Sequence, residues 1–129
     1  MVNGDTLFTV AGGPIQVLAL VSICATANDA TASTLQYSAT PTAGAATAIS
    51  AASASLASAA IGASVTLIGT ALSTAALLSA GGPNLCMTNM GGILVPAGTV
   101  KAVIGVGSTT GTWAHYIRYK PLAVDVTVS

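Results

Sequence analysis

Apolar and polar side chains alternate along several short stretches of this chain, and this alternation limits the folds open to it. Residues two apart share one face of a strand, whereas a helix repeats every 3.6 residues. The stretch Thr112–Lys120 follows the two-residue period throughout. Its two faces carry Trp113, His115, Ile117 and Tyr119 on one side, and Ala114, Tyr116, Arg118 and Lys120 on the other. The pattern therefore predicts a strand.

The stretch Ile15–Thr26 predicts a longer strand that is apolar on both faces. One face carries Ile15, Val17, Ala19, Val21 and Ile23, and the other carries Leu18, Leu20 and Ser22. Strands that are covered on both faces read as nearly continuous apolar runs. We therefore expect Ile15–Thr26 to be a central strand with both faces covered.

Turn residues separate further short stretches of strand character. Gly12-Gly13-Pro14, Gly81–Asn84 and Pro96-Ala97-Gly98 are the strongest breaks. Between the breaks, further strands are predicted at Thr6–Ala11, Leu35–Ala39, Val65–Ile68, Leu85–Asn89, Gly92–Val95 and Thr99–Val106, and a last one with Val124, Val126 and Val128 on one face. Many short strands without intervening helices indicate an all-β fold. We predict one domain over residues 1–129, a sandwich or a jelly-roll-like barrel.

The Ala-rich middle, Thr42–Ala80, has two readings. Ala favours a helix, and Ser50 or Ser53 could cap a short one. Few large residues are present between Thr42 and Ala60 to form a buried helical stripe, so a long loop or a strand-loop-strand arrangement competes with the helix.

Charge is nearly absent from the chain. Three Asp balance three Lys and Arg, and charged residues make up 5% of the sequence, against about 25% in an average soluble domain. Three scattered cations provide no electrostatic footprint for DNA or RNA. A surface with so little charge favours association with other proteins.

A small membrane protein is an alternative that this composition raises. Ala59–Ala80 carries no charge, and its length is close to the roughly 20 residues of a membrane-spanning helix. No basic residue flanks it, no Trp or Tyr marks an interface, and Ser and Thr interrupt it. We therefore expect no membrane partner.

Residues able to support catalysis or metal binding are few. The chain has one His, two Cys, three Asp and no Glu. His115 with Cys24 or Cys86 is the only nucleophile–base or zinc set, and it lacks ligand spacing. We expect no enzymatic activity, cofactor, metal or small-molecule substrate. Cys24 lies in an apolar run and is predicted to be buried and reduced rather than bridged to Cys86.

Several aromatic and basic residues are candidates for contact with a partner protein. Arg118, Tyr119 and Lys120 form a contact site for an acidic partner, or a strand end made basic against aggregation. Trp113, Tyr116 and Tyr119 form an interface anchor or a carbohydrate-stacking platform, with core packing as the simpler reading. The N-terminal segment through Phe8 is an arm that reaches a neighbour, or a frayed end.

Three segments resemble small virion proteins of tailed bacteriophages. They are LFTVAGGPIQVLALVSICAT near the start, ILVPAGTVKAVIGVGSTTGT at Ile93–Thr112 and WAHYIRYKPL near the end. Between them, Thr42–Ala80 is similar in composition only. The resemblance is to capsid decoration, or cement, proteins, and its motifs are structural.

This resemblance implies a β-rich homotrimer that binds the major capsid protein on the outer surface of the virion, after assembly in the host cytoplasm. Its role would be to stabilise the shell against the pressure of packaged DNA. A tail or head-fibre subunit is the alternative within the same resemblance. A carbohydrate-binding module that uses Trp113 and Tyr116 is the alternative from a different class.

Overall fold

The computed structural model describes residues 1–67, 72, 74–80, 92–107 and 110–129. In these residues the chain forms ten strands and no helix. The strands are β1 (Thr6–Ala11), β2 (Ile15–Cys24), β3 (Thr34–Pro41), β4 (Thr47–Ala48), β5 (Ser64–Thr66), β6 (Leu77–Ser79), β7 (Ile93–Val95), β8 (Gly98–Gly105), β9 (Trp113–Pro121) and β10 (Thr127–Val128).

The strands form two antiparallel sheets that pack as a sandwich, which confirms the all-β prediction. The first sheet has the order β10-β1-β8-β3-β4. In the second sheet β2 is central, with β9 along its whole length and β7 and β5 at opposite ends, and β6 beyond β5. The chain crosses between the sheets after β1, β2, β4, β7, β8 and β9. Contacts distant in sequence therefore dominate the fold.

A β-bulge in β2 corrects the predicted face pattern. Opposite β9 the register shifts between Val17 and Ala19, which leaves Leu18 as an extra residue. Because each residue step reverses the side-chain direction, one extra residue exchanges the two faces. Ile15 and Val17 are buried before the bulge, and Leu20, Ser22 and Cys24 are buried after it. The prediction that both faces of this strand are covered is therefore wrong beyond the bulge, where Ile23 is 37% exposed.

Serine hydroxyls account for the conformation of the Ala-rich middle. Ser50 Oγ accepts the backbone N–H of Tyr37 at 3.0 Å, and Ser53 Oγ accepts that of Leu35 at 3.1 Å. The serines expected to cap a helix thus bond to β3, and the segment after β4 covers that edge of the first sheet. No helix forms in the described residues of Thr42–Ala80, so the loop and short-strand reading holds there.

The C-terminal strand is shorter than its valine pattern predicts. Asp125 has a φ of 64°, and this left-handed residue interrupts the extended chain. As a result Val124 is 85% exposed, and only Thr127–Val128 pairs with β1. The predicted strand Leu85–Asn89, the break at Gly81–Asn84 and Cys86 lie outside the described residues.

The core lies between the two sheets and is made of branched aliphatic side chains around one tyrosine. Tyr37 has no exposed surface, although it belongs to the first sheet and its hydroxyl reaches the second. It belongs to one buried cluster with side chains from both sheets and from the segment between β4 and β5: Val10, Ile15, Val17, Leu20, Leu35, Leu56, Val65, Val95, Val100 and Ile104.

Candidate interaction surface

Strand β9 divides the predicted contact residues between two environments, and its alternation agrees with the sequence pattern. Trp113 is buried, and His115, Ile117 and Tyr119 are half-buried on the same face. Tyr116, Arg118 and Lys120 are exposed on the opposite face. The strand therefore supplies the core with one set of side chains and the surface with the other.

Trp113 is a core residue, which corrects its assignment as a contact residue. Its exposed fraction is 9%, and its indole Nε1 donates to Asn28 Oδ1 at 3.0 Å. Asn28 in turn donates from Nδ2 to the Leu56 carbonyl at 3.1 Å. Gly111 lies against this amide, where a Cβ would overlap Asn28 Oδ1. Trp113 thus holds the loop before β3 in place.

The same geometry removes the aromatic platform predicted for a carbohydrate. Trp113 and Tyr116 are three residues apart on a strand, so their rings lie on opposite faces. Only Tyr116, which is 57% exposed, is open to a ligand. A single exposed ring does not form the stacking surface that the carbohydrate hypothesis required.

Phe8 belongs to a paired strand, which corrects the prediction of an N-terminal arm or frayed end. Strand β1 lies between β8 and β10, and Phe8 stands opposite Val100. Its ring is half-buried and packs against the core. Main-chain pairing with β8 therefore holds this part of the segment in the sheet, and the Phe8 ring is only partly exposed.

A chain of hydrogen bonds crosses the core from β9 to β5. His115 Nδ1 lies 2.7 Å from Ser22 Oγ, which lies 2.8 Å from the Tyr37 hydroxyl. The Tyr37 hydroxyl donates to the Val65 carbonyl at 3.0 Å. A carbonyl only accepts, so the Ser22 hydroxyl donates to Tyr37 and accepts from Nδ1–H of His115. This order of donors means that a neutral His115 carries its proton on Nδ1.

The environment of these hydrogen-bonded side chains disfavours charge. Burial lowers the pKa of His115, and the nearby N-terminal ammonium lowers it further, while the Asp5 carboxylate acts in the opposite sense. Burial also raises the pKa of the Tyr37 hydroxyl. Ser22 has no exposed surface. Hydrogen bonds between neutral groups, each with a defined donor, therefore join the two sheets.

Cys24 is buried with a free thiol, and its Sγ donates to the Thr26 carbonyl at 3.1 Å. Desolvation raises the pKa of this thiol, so the thiolate is disfavoured. Among the described residues, no three His, Cys, Asp or Glu side chains group as a metal site would require.

The outer side of the second sheet carries the exposed candidates. In the ladder with β2, Tyr116 stands opposite Val21, and Arg118 stands opposite Ala19. Ile23, next to Val21 on this face, is 37% exposed. We call Val21, Ile23, Tyr116, Arg118 and Lys120 the outer β9 surface. It combines exposed apolar area with two of the three cations of the chain.

Comparisons with known proteins leave this surface without a precedent. No protein-family model, curated protein or solved structure matches the chain. In the part of the chain that the structure describes, no helix has the length and apolar character that crossing a membrane requires. The described residues of Ala59–Ala80 include strands β5 and β6.

Proposed function

We propose that this chain is a structural subunit of a bacteriophage virion, a capsid decoration protein that binds the major capsid protein on the outside of the shell. The outer β9 surface is the observation that carries this proposal. It offers the exposed Tyr116 ring and the exposed Ile23 side chain beside the partly buried Val21, with two basic groups on the same face. Apolar area with a few cations suits a protein partner that supplies acidic groups at its rim.

The composition supports the same reading. With six charged residues in 129, the chain lacks the charged surface that keeps an ordinary domain dispersed. A subunit whose surface becomes covered on assembly does not need one. The three segments that resemble cement proteins fall on β1 with β2, on β7 with β8, and on β9, so the resemblance lies in the sandwich itself.

The fold also suits a subunit that carries load. Antiparallel pairing joins all the named strands within each sheet. The hydrogen-bond chain through Tyr37 joins the two sheets. A subunit of this kind transmits force between capsomers without unfolding locally. The homotrimeric state is part of the proposal and comes from the resemblance.

The test is made on purified particles. Particles that lack this gene product should release their DNA at a lower temperature than complete particles, and adding back the purified chain should restore the higher temperature. Equal release temperatures would contradict the cement role. Labelling on the tail instead of the shell would favour the tail or head-fibre alternative.

A matched pair of substitutions tests the surface. Arg118→Ala removes an exposed cation from the outer β9 surface, whereas Lys101→Ala removes a half-buried one from the first sheet. We expect Arg118→Ala to weaken binding to decoration-free capsids about tenfold and Lys101→Ala to leave it within about twofold. The opposite order would place the contact on the first sheet.

A further inference from the structure

Strand β9 is the longest edge strand of the two sheets, and no strand pairs with its outer side among the described residues. Among the described residues it pairs with β2 alone and spans nine residues. The other sheet edges are short, since β4 and β10 have two residues each and β6 has three. Proteins usually shorten or cover their edges, because an open edge recruits another strand. The length of β9 therefore calls for a partner.

The backbone direction along β9 follows from the residues just beyond its ends. The Thr112 carbonyl accepts from Ala25 N–H at 2.8 Å, and Leu122 N–H donates to the Pro14 carbonyl at 3.1 Å. Because backbone direction alternates along a strand, even-numbered residues face β2 throughout β9. The odd-numbered residues Trp113, His115, Ile117, Tyr119 and Pro121 therefore direct their backbone groups to the open edge.

We infer that β9 pairs antiparallel with β9 of a second copy of this chain, with the two-fold axis at Ile117. Ile117 is the midpoint of Trp113–Pro121, so this register overlaps the whole strand with itself. It also aligns odd-numbered residues of the two copies, which is the condition for backbone bonding. About eight hydrogen bonds join the strands. Pro121, which has no N–H, falls at the ends opposite Trp113, where only a terminal bond is lost.

One cross-strand pair favours this register. It places Tyr116 opposite Arg118 of the second copy, and Lys120 opposite Ala114. The guanidinium thereby lies beside an exposed aromatic ring, a favourable cross-strand pair. Moving one copy by two residues in one direction would place Arg118 opposite Arg118, which is repulsive. The strand is therefore complementary to itself when its midpoint lies on the axis.

This contact runs along the edge of β9 and does not require the proposed role on the capsid, although its cross-strand pair uses Tyr116 and Arg118 of the outer β9 surface. It has two-fold symmetry, so it is separate from the three-fold contact that the resemblance implies. A chain with only the β9 contact forms dimers. A chain with both contacts forms assemblies with an even number of copies, such as hexamers.

Sedimentation equilibrium of the purified full chain, with two substitutions at one exposed position, tests the pairing. Tyr116→Lys places a second cation opposite Arg118 on both sides of the axis, and we expect dissociation at β9 to become at least about tenfold easier. Tyr116→Glu removes the same ring but offers Arg118 a carboxylate, and should keep or tighten the contact. Unchanged circular dichroism confirms that both variants fold.

Cross-linking provides a direct test of the register. A mixture of Tyr116→Cys chains and Arg118→Cys chains should form a disulfide between copies on mild oxidation, since directly opposed Cα atoms are about 4.5–5.5 Å apart. Neither variant alone should do so, and this also controls for Cys24 and Cys86. A purely monomeric or purely trimeric wild-type chain would overturn the inference. Equal weakening by Tyr116→Lys and Tyr116→Glu, or no mixed disulfide, would overturn the register.

Discussion

Replacing Tyr37 with Phe tests whether the hydrogen-bond chain through the core is ordered as its geometry requires. The substitution removes one oxygen from a fully buried ring and leaves the packing of the ring in place. That oxygen accepts from Ser22 and donates to the Val65 carbonyl. Removing it therefore affects two hydrogen bonds, but the two losses are not equivalent.

The expected cost follows from what each partner can do next. Val65 stands opposite Ser22 in the β2–β5 ladder. The Cys24 N–H donates to the Ala63 carbonyl two residues further along, and bonded pairs in an antiparallel ladder recur every two residues. Its carbonyl therefore keeps a backbone donor and is not left unpaired. The Ser22 hydroxyl can turn to His115 Nδ1 once that histidine carries its proton on Nε2. Of the three hydrogen bonds one remains, so two are lost, but no buried partner is left unpaired and the cost is about 1–2 kcal/mol.

Two measurements separate this mechanism from ordinary loss of packing. Urea unfolding at pH 7, followed by the fluorescence of the single Trp, should give an unchanged slope and a free energy of unfolding lower by about 1–2 kcal/mol. Nitrogen NMR of the single His should show the neutral ring changing from the Nδ1–H form to the Nε2–H form. Both measurements are unambiguous because the chain has one residue of each kind.

Tyr116→Phe is the matched control, because it removes a hydroxyl from an exposed ring. It should change the free energy of unfolding by less than about 0.5 kcal/mol and leave the His115 tautomer unchanged. The reasoning is refuted if Tyr37→Phe keeps His115 in the Nδ1–H form. A stability loss above about 3 kcal/mol would also refute it, since both partners would then be unpaired.

Three further predictions concern stability. The pKa of His115 is lowered below its ordinary 6.5, so the unfolded chain binds this proton first as pH falls. The free energy of unfolding should therefore decline below about pH 6.5 until the folded His115 is protonated as well. In urea titrations His115→Gln should flatten this decline. Val106 is 74% exposed with a φ of 61°, in the left-handed region that Asn tolerates better than Val. Val106→Asn should therefore raise the free energy of unfolding by about 1 kcal/mol and raise the melting temperature with it. Val103→Asn in strand β8 should not raise either. Ser33 Oγ is buried without a partner among the described residues, so Ser33→Ala should stabilise the chain by about 1 kcal/mol in the same assay; a destabilised variant would indicate an unseen partner.

Local patterns in the sequence were sufficient for the fold class and for most strands. Thr6–Ala11 is predicted with its observed bounds, and Thr112–Lys120 differs from β9 by one residue at each end. The alternation also assigns the faces of β9 correctly, because a regular strand keeps its two-residue period. The same rule fails in β2 beyond Leu18, since a bulge is set by pairing with β9 and leaves no mark in the residue pattern.

The candidate site depended on information that the sequence carries only in part. The presence of Tyr116, Arg118 and Lys120 on one exposed face follows from their spacing. The burial of Trp113 does not, because it requires Asn28, which is 85 residues away in the chain. Ser22 is the one polar side chain in the apolar run Val17–Cys24, and that is a signal for a buried hydrogen bond.

What the sequence by itself determined is therefore local: the strands, their faces, the turns between them and an almost uncharged surface. Only the tertiary structure decided which strand became an open edge and which polar groups met in the core. Ser22 and His115 are 93 residues apart, and Ser22 and Tyr37 are 15 apart. Side-chain alternation depends on backbone geometry within a few residues, whereas these contacts depend on how two sheets stack, a choice made by the packing of the whole chain.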